Sequence, residues 1–154
     1  MDSTLYTKIW DVALPAMLPP MRKIVSALRE HLPAGYTVCD PIVDDTGDEY
    51  MVVINVSRGK VVALGCDFTL VDAGLREDED GVGISMPVVG YGGLVLGGFQ
   101  PLNWTDSVWT VDPEEVLTRI EGLDVESFVS FLLKDCLANP SLIAELAGTD
   151  GTPA

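Results

Sequence analysis

The stretch from Tyr50 to Leu70, YMVVINVSRGKVVALGCDFTL, decides the fold of this 154-residue chain. Two runs rich in β-branched residues, Tyr50–Val56 and Val61–Leu70, flank the short polar segment Ser57–Lys60. β-Branched side chains favour strands, and Gly59 can supply the positive φ that a tight turn needs. The sequence therefore predicts an antiparallel hairpin at this place.

Further strands are predicted on both sides of this hairpin. Tyr36–Cys39 reads as a short strand before it, and Asp44–Asp48 is rich in residues that favour turns. After the hairpin, apolar runs predict strands at Val82–Val89 and Leu94–Phe99 and a shorter one at Val108–Val111. These segments together predict an antiparallel sheet of about five or six strands.

Helical patterns occupy the N-terminal part of the chain. Leu5–Leu14 is apolar enough for a first helix, and Pro15 predicts its end. Pro20 suits the first turn of a second helix, which Pro33 ends. The apolar residues of this second helix recur at helical spacing, and they are Met21, Ile24, Val25, Leu28 and Leu32.

The C-terminal part is predicted to be helical again. Asp112 and Asp124 are capping residues at the start of two helices, and Gly122 lies between them. Asn139, followed by a proline, opens a third helix that extends to Leu146. The chain is therefore predicted to be one α+β domain over residues 1–148, with N-terminal helices, a central sheet and C-terminal helices packed on it. Residues 149–154 are predicted to form a frayed tail.

Acidic residues dominate the charge of the chain. Asp and Glu number 24 against 9 Lys and Arg, which gives a formal net charge of −15. The surplus is uneven, because residues 40–80 hold eleven acids and three bases. Such a field repels nucleic acid and acidic membranes and attracts basic partners. Direct nucleic-acid binding is therefore disfavoured, since it depends largely on Lys and Arg. Solubility or an acidic proteome is an equally good explanation of the same composition.

One uncharged segment of the chain is long enough to span a bilayer. Residues 81–105 carry no charge, but two prolines and seven glycines favour buried strands with a glycine-rich bend over a membrane helix. The N-terminal residues lack the pattern of a signal peptide. Three widely spaced cysteines, Cys39, Cys66 and Cys136, match neither a zinc site nor a disulfide framework. The sequence therefore predicts a cytoplasmic protein without a membrane association.

Catalytic and metal-binding patterns are sparse. His31 is the single histidine, and a histidine at the end of a helix is more often a capping residue than a base. The acidic clusters lack the spacing of a calcium-binding EF-hand loop. We therefore predict no catalytic residue, no metal site and no cofactor.

A protein-binding surface is the remaining prediction. Two acidic clusters, a pair of tryptophans flanking an aspartate and an acidic helix start suit an interface with a basic protein, because large rings anchor interfaces and carboxylates complement cations. A core position for one or both tryptophans is the alternative. The predicted partner-binding residues are Asp44, Asp45, Asp48, Glu49, Glu77, Asp78, Glu79, Asp80, Trp104, Asp106, Trp109, Glu114 and Glu115.

Three classes of function fit these patterns. The first is a non-enzymatic inhibitor whose acidic face occupies the basic surface of a nucleic-acid-handling protein. Phage anti-defence proteins that mimic nucleic acid and immunity proteins that block nuclease toxins act in this way, although no motif assigns the chain to either group. The second is an acidic assembly factor or secretion chaperone that holds a client protein. The third is an enzyme or small-ligand protein. The sequence leaves open whether the protein is a monomer or a homodimer.

Overall fold

One long helix opens the structure. A computed structural model of the chain describes residues 3–72, 81–98 and 111–148, and its first element is helix α1, Ser3–His31. Pro15, Pro19 and Pro20 lie inside this helix, so the prediction of two helices separated at Pro15 is wrong.

The apolar stripe of α1 explains why it continues past the prolines. Eight side chains at helical spacing are almost fully buried along one side of the helix: Ile9, Trp10, Ala13, Met17, Met21, Ile24, Val25 and Leu28. Pro15 and Pro19 are exposed on the opposite side. There, carbonyl groups that lose a helical hydrogen bond can bind water instead, as on the convex side of a curved helix. Packing of the stripe therefore outweighs the local cost of proline.

In the described part of the chain, seven strands form a single antiparallel sheet. They are β1 Tyr36–Val38, β2 Ile42–Asp44, β3 Tyr50–Arg58, β4 Val61–Asp72, β5 Val82–Ser85, β6 Pro87–Gly90 and β7 Leu94–Gly98. β1 and β2 both pair with one edge of β3, and β5 and β6 both pair with the far edge of β4. The sheet is therefore a meander with five positions, two of them occupied by interrupted strands.

The predicted β-hairpin lies at the centre of this sheet. β3 and β4 pair from Tyr50 opposite Leu70 to Arg58 opposite Val61, and Gly59 in the turn has a φ of 60°. Interruption at Met86 divides the predicted strand Val82–Val89 into β5 and β6. Most of the predicted strand at 108–111 lies outside the described residues.

The two faces of the sheet differ in burial. Alternate residues Val52, Ile54 and Val56 of β3 are buried, and so are their partners on β4. We call this side the core face and the opposite side, which carries Val53, the outer face. Because strand side chains alternate between the two faces, the register places Asp67 beside Val53 on the outer face.

The C-terminal helices complete the fold. They are α2 Pro113–Glu121, α3 Val125–Ser130, a π-helical segment Phe131–Cys136 and α4 Pro140–Ala147. Each α-helix begins with the predicted cap, since side chains of Asp112, Asp124 and Asn139 accept backbone hydrogen bonds from Glu114, Ser127 and Ser141 at 2.9–3.1 Å. α2 and α3 pack against α1. The predicted α+β arrangement is confirmed, with one N-terminal helix instead of two.

The continuity of α1 predicts the effect of removing a proline. In Pro15→Ala, a restored N–H can donate to the carbonyl of Asp11, and we expect the free energy of unfolding to rise by about 1–2 kcal/mol. The gain is smaller than the roughly 3 kcal/mol helix penalty of proline because proline also restricts the unfolded chain. Urea denaturation followed by circular dichroism measures the free energy of unfolding. Pro33→Ala, beyond the helix, is the control and should give no gain; a less stable Pro15→Ala protein would contradict this account of α1.

Candidate functional site

The connection between β2 and β3 brings together one of the predicted acidic clusters. Asp44, Asp45, Asp48 and Glu49 are all exposed there, and we call them the acidic hairpin. The Asp44 carboxylate accepts hydrogen bonds from the backbone N–H and the hydroxyl of Thr46, at 3.4 and 3.2 Å. Such bonds from an aspartate to the residue two positions later stabilise a tight turn, which holds the neighbouring carboxylates at the surface.

Among the described residues, no cationic side chain compensates the charges of the acidic hairpin. Within residues 3–72, 81–98 and 111–148, no lysine or arginine forms an ion pair with any of its four carboxylates. The nearest acidic residue along the chain, Asp40, does have a partner, since its carboxylate pairs with Arg29 at 2.9 Å. The hairpin therefore projects a concentrated negative field, which would act on a basic partner before contact.

Asp67 adds a fifth carboxylate that the sequence analysis missed. It lies on the outer face of β4, opposite Val53, and its pKa is raised by burial and secondarily by the charge of Asp44. No described group forms an ion pair or a hydrogen bond with its carboxylate. A single acid inside an otherwise apolar strand run was the available signal, but only the register shows that it shares a face with Asp44.

The other predicted site residues are not brought to this place by the described structure. Glu114 and Glu115 lie in the first turn of α2, where Glu115 pairs with Arg119 at 2.9 Å. The main contacts of α2 are with α1. The remaining predicted residues, Glu77, Asp78, Glu79, Asp80, Trp104, Asp106 and Trp109, lie outside the described residues, so their part in binding stays a prediction.

Two of the three cysteines, Cys66 and Cys136, lie in surroundings that suppress ionisation of their thiols. Cys66 and Cys136 are buried, and burial is the main cause that raises the pKa of both thiols, for Cys136 to about 11. A thiol must ionise to act as a nucleophile, so both are unreactive near neutral pH. Among the described residues, no group of three or more His, Cys, Asp or Glu side chains could hold a metal ion.

A groove lies between the end of α1 and the α3–π-helix segment. It encloses about 450 Å³, which is within the usual range for small-molecule sites. His31, Ser130, Lys134 and Glu126 form its polar lining, and its apolar lining consists of Ala27, Val125, Val129 and Leu133. Both His31 and Lys134 are exposed. π-Helical turns are frequent at functional sites, and this one contributes Leu133 and Lys134 to the groove.

Comparison with protein-family models, with curated proteins and with solved structures gives no match to this chain. The roles of its residues must therefore be argued from the chain itself. Across the helices of the described part, α1 included, none has both the length and the apolar character needed to cross a membrane.

The raised pKa of Asp67 predicts how stability depends on pH. The folded protein binds this proton more tightly than the unfolded chain, so ionisation of Asp67 destabilises the fold as pH rises from the ordinary value of 3.8 through the raised folded value. Asp67→Asn should therefore have a higher free energy of unfolding than the wild type at pH 7. The difference should narrow as pH falls towards 3.8.

Urea denaturation at a series of pH values checks this prediction. Asp135→Asn is the matched control, because it removes the same charge from an exposed position on the π-helical segment. A wild type as stable as Asp67→Asn at pH 7 would show that burial of the Asp67 carboxylate beside Asp44 does not destabilise the fold.

Proposed function

We propose that this protein is a non-enzymatic acidic binding protein that inhibits a basic, nucleic-acid-handling protein by occupying its basic surface. The observation that supports the proposal most is the acidic hairpin, whose four exposed carboxylates have no cationic partner among the described residues. Carboxylates grouped in this way present a basic groove with negative charge, as phosphates do.

Electrostatics explains how such a surface would act. Complementary charges raise the rate of association, and the effect weakens as salt increases. The tight turn at Asp44 restrains the backbone beneath the carboxylates, so little conformational entropy is lost when a partner binds. The formal net charge of −15 also disfavours direct binding of the protein to nucleic acid, so competition for the partner is the consistent mode of inhibition.

A small-ligand function is the second candidate, and the groove beside His31 favours it. An aliphatic chain would contact Val125, Val129 and Leu133, and a carboxylate would interact with Lys134 at the rim. The ligand class that fits this groove is therefore a medium-chain carboxylate.

Charge-matched variants test the inhibitor proposal. The variant D44N/D45N/D48N/E49Q removes the four charges of the acidic hairpin, and E121Q/E126Q/D135N/E145Q removes four exposed charges from the C-terminal helices. Both have the same net charge, so non-specific attraction is equal in the two. A pull-down from the host lysate at low salt identifies the partner, and its affinity is then measured with purified proteins at increasing salt.

We expect the hairpin variant to lose at least tenfold in affinity, a change of about 1.4 kcal/mol, and to stop displacing nucleic acid from the partner. The C-terminal variant should lose much less. Equal losses in the two variants would mean that net charge, and not the acidic hairpin, drives association. Recovery of a neutral client whose affinity is unaffected by salt would favour a chaperone instead.

Calorimetric titration with decanoate tests the second candidate. Saturable binding should weaken about tenfold in Lys134→Gln, because the rim would lose its charge on the carboxylate. Lys23→Gln is the control, since Lys23 is exposed on α1 and lies outside the groove. Binding that both substitutions weaken equally would exclude a specific site in the groove.

A further inference from the structure

The outer face of the sheet carries a patch of exposed apolar side chains. Strand register places Val62 opposite Ser57, Val89 opposite Gly65 and Val95 opposite Val89, all on this face. Val62, Val89 and Val95 are 46%, 39% and 78% exposed. Exposed apolar side chains that lie singly need no explanation, but neighbouring ones on one face mark an interaction surface.

Gly65 lies inside this patch, beneath the side chain of Asn55. Gly65 has no side chain, and a Cβ atom added there would lie 3.1 Å from Oδ1 of Asn55. The side chain of Asn55 therefore lies over the backbone of Gly65, next to Val89 on the neighbouring strand. Asn55 thus places a hydrogen-bonding amide beside the valines of the outer face.

A charge borders the patch on one side. Asp67 follows Gly65 by two residues on β4, so their positions on the outer face are about 7 Å apart. Val53 lies opposite Asp67, and Ile42, 48% exposed, lies opposite Val53. Asp67 is thus half-surrounded by apolar surface, and Asp44 crowds it with a second negative charge. A cation placed here would relieve that repulsion.

We propose that the outer face docks an amphipathic basic helix of the partner protein. Aliphatic residues of the helix cover Val62, Val89 and Val95, and an arginine or lysine beside them pairs with Asp67. In the described fold no helix packs on the outer face, so a helix of the partner would add the missing layer. An apolar centre with charges at its border is also typical of protein interfaces. This inference rests on the proposed function and adds to it the docking surface and the chemistry of the partner.

Two synthetic peptides of identical composition test the proposal, both built from leucine, alanine, lysine and arginine. In one the leucines recur at helical spacing, and in the other the order is scrambled. We expect the amphipathic peptide to bind more tightly and to shift the NMR signals of Val62, Val89 and Val95. Val95→Ser and Asp67→Asn should each weaken its binding about tenfold, while Ile143→Ser, which changes a similarly exposed residue on α4, should not.

Three other results would each lead to a different conclusion. Equal affinity of the two peptides, or unchanged affinity in Val95→Ser, would overturn docking on the outer face. Either result would leave binding of basic chains by the acidic hairpin intact. A homodimer in light scattering that Val95→Ser dissociates would assign the patch to a second copy and also overturn it. Failure of both peptides to bind at low salt would count against the proposed function itself. Circular dichroism confirms that each variant is folded.

Discussion

The packing of α1 on the core face of the sheet is the interaction on which the rest of the structure depends. Its buried stripe is continuous from Tyr6 to Leu28, and the Tyr6 hydroxyl connects it to both central strands. That hydroxyl donates to the carbonyl oxygen of Leu70 and accepts from the N–H of Tyr50. Because α2 and α3 pack against α1, these helices gather around the helix that covers the core face.

This one-sided arrangement determines where the charge and the exposed apolar surface lie. α1 covers the core face, whereas apolar side chains remain exposed on the outer face, and the four exposed carboxylates of the acidic hairpin lie in the connection between β2 and β3. Asp67 connects the two regions, since it is half-buried among apolar neighbours and still within the field of Asp44. A basic partner with an apolar surface would match both.

Local signals made much of the fold predictable. The β3–β4 hairpin and the caps at Asp112, Asp124 and Asn139 depend on neighbouring residues alone, and the structure confirms them. The passage of α1 through Pro15 depends on burial of its whole stripe, which no local pattern shows. The acidic hairpin could be found from composition, but the position of Asp67 beside it could not. A β-bulge near Val56 shifts the pairing of β3 with β4, so only the observed register shows which residue lies opposite Asp67.

The most direct measurement of the central claim is carboxylate labelling with a carbodiimide and an amine, followed by mass spectrometry, with and without the bound partner. If these carboxylates face the partner, labelling of the acidic hairpin and of Asp67 falls on binding. Labelling of Glu121, Glu126 and Asp135 on the C-terminal helices should stay the same. Protection of these helical carboxylates, with the acidic hairpin and Asp67 labelled as before, would show that the partner binds the C-terminal helices and not the acidic hairpin.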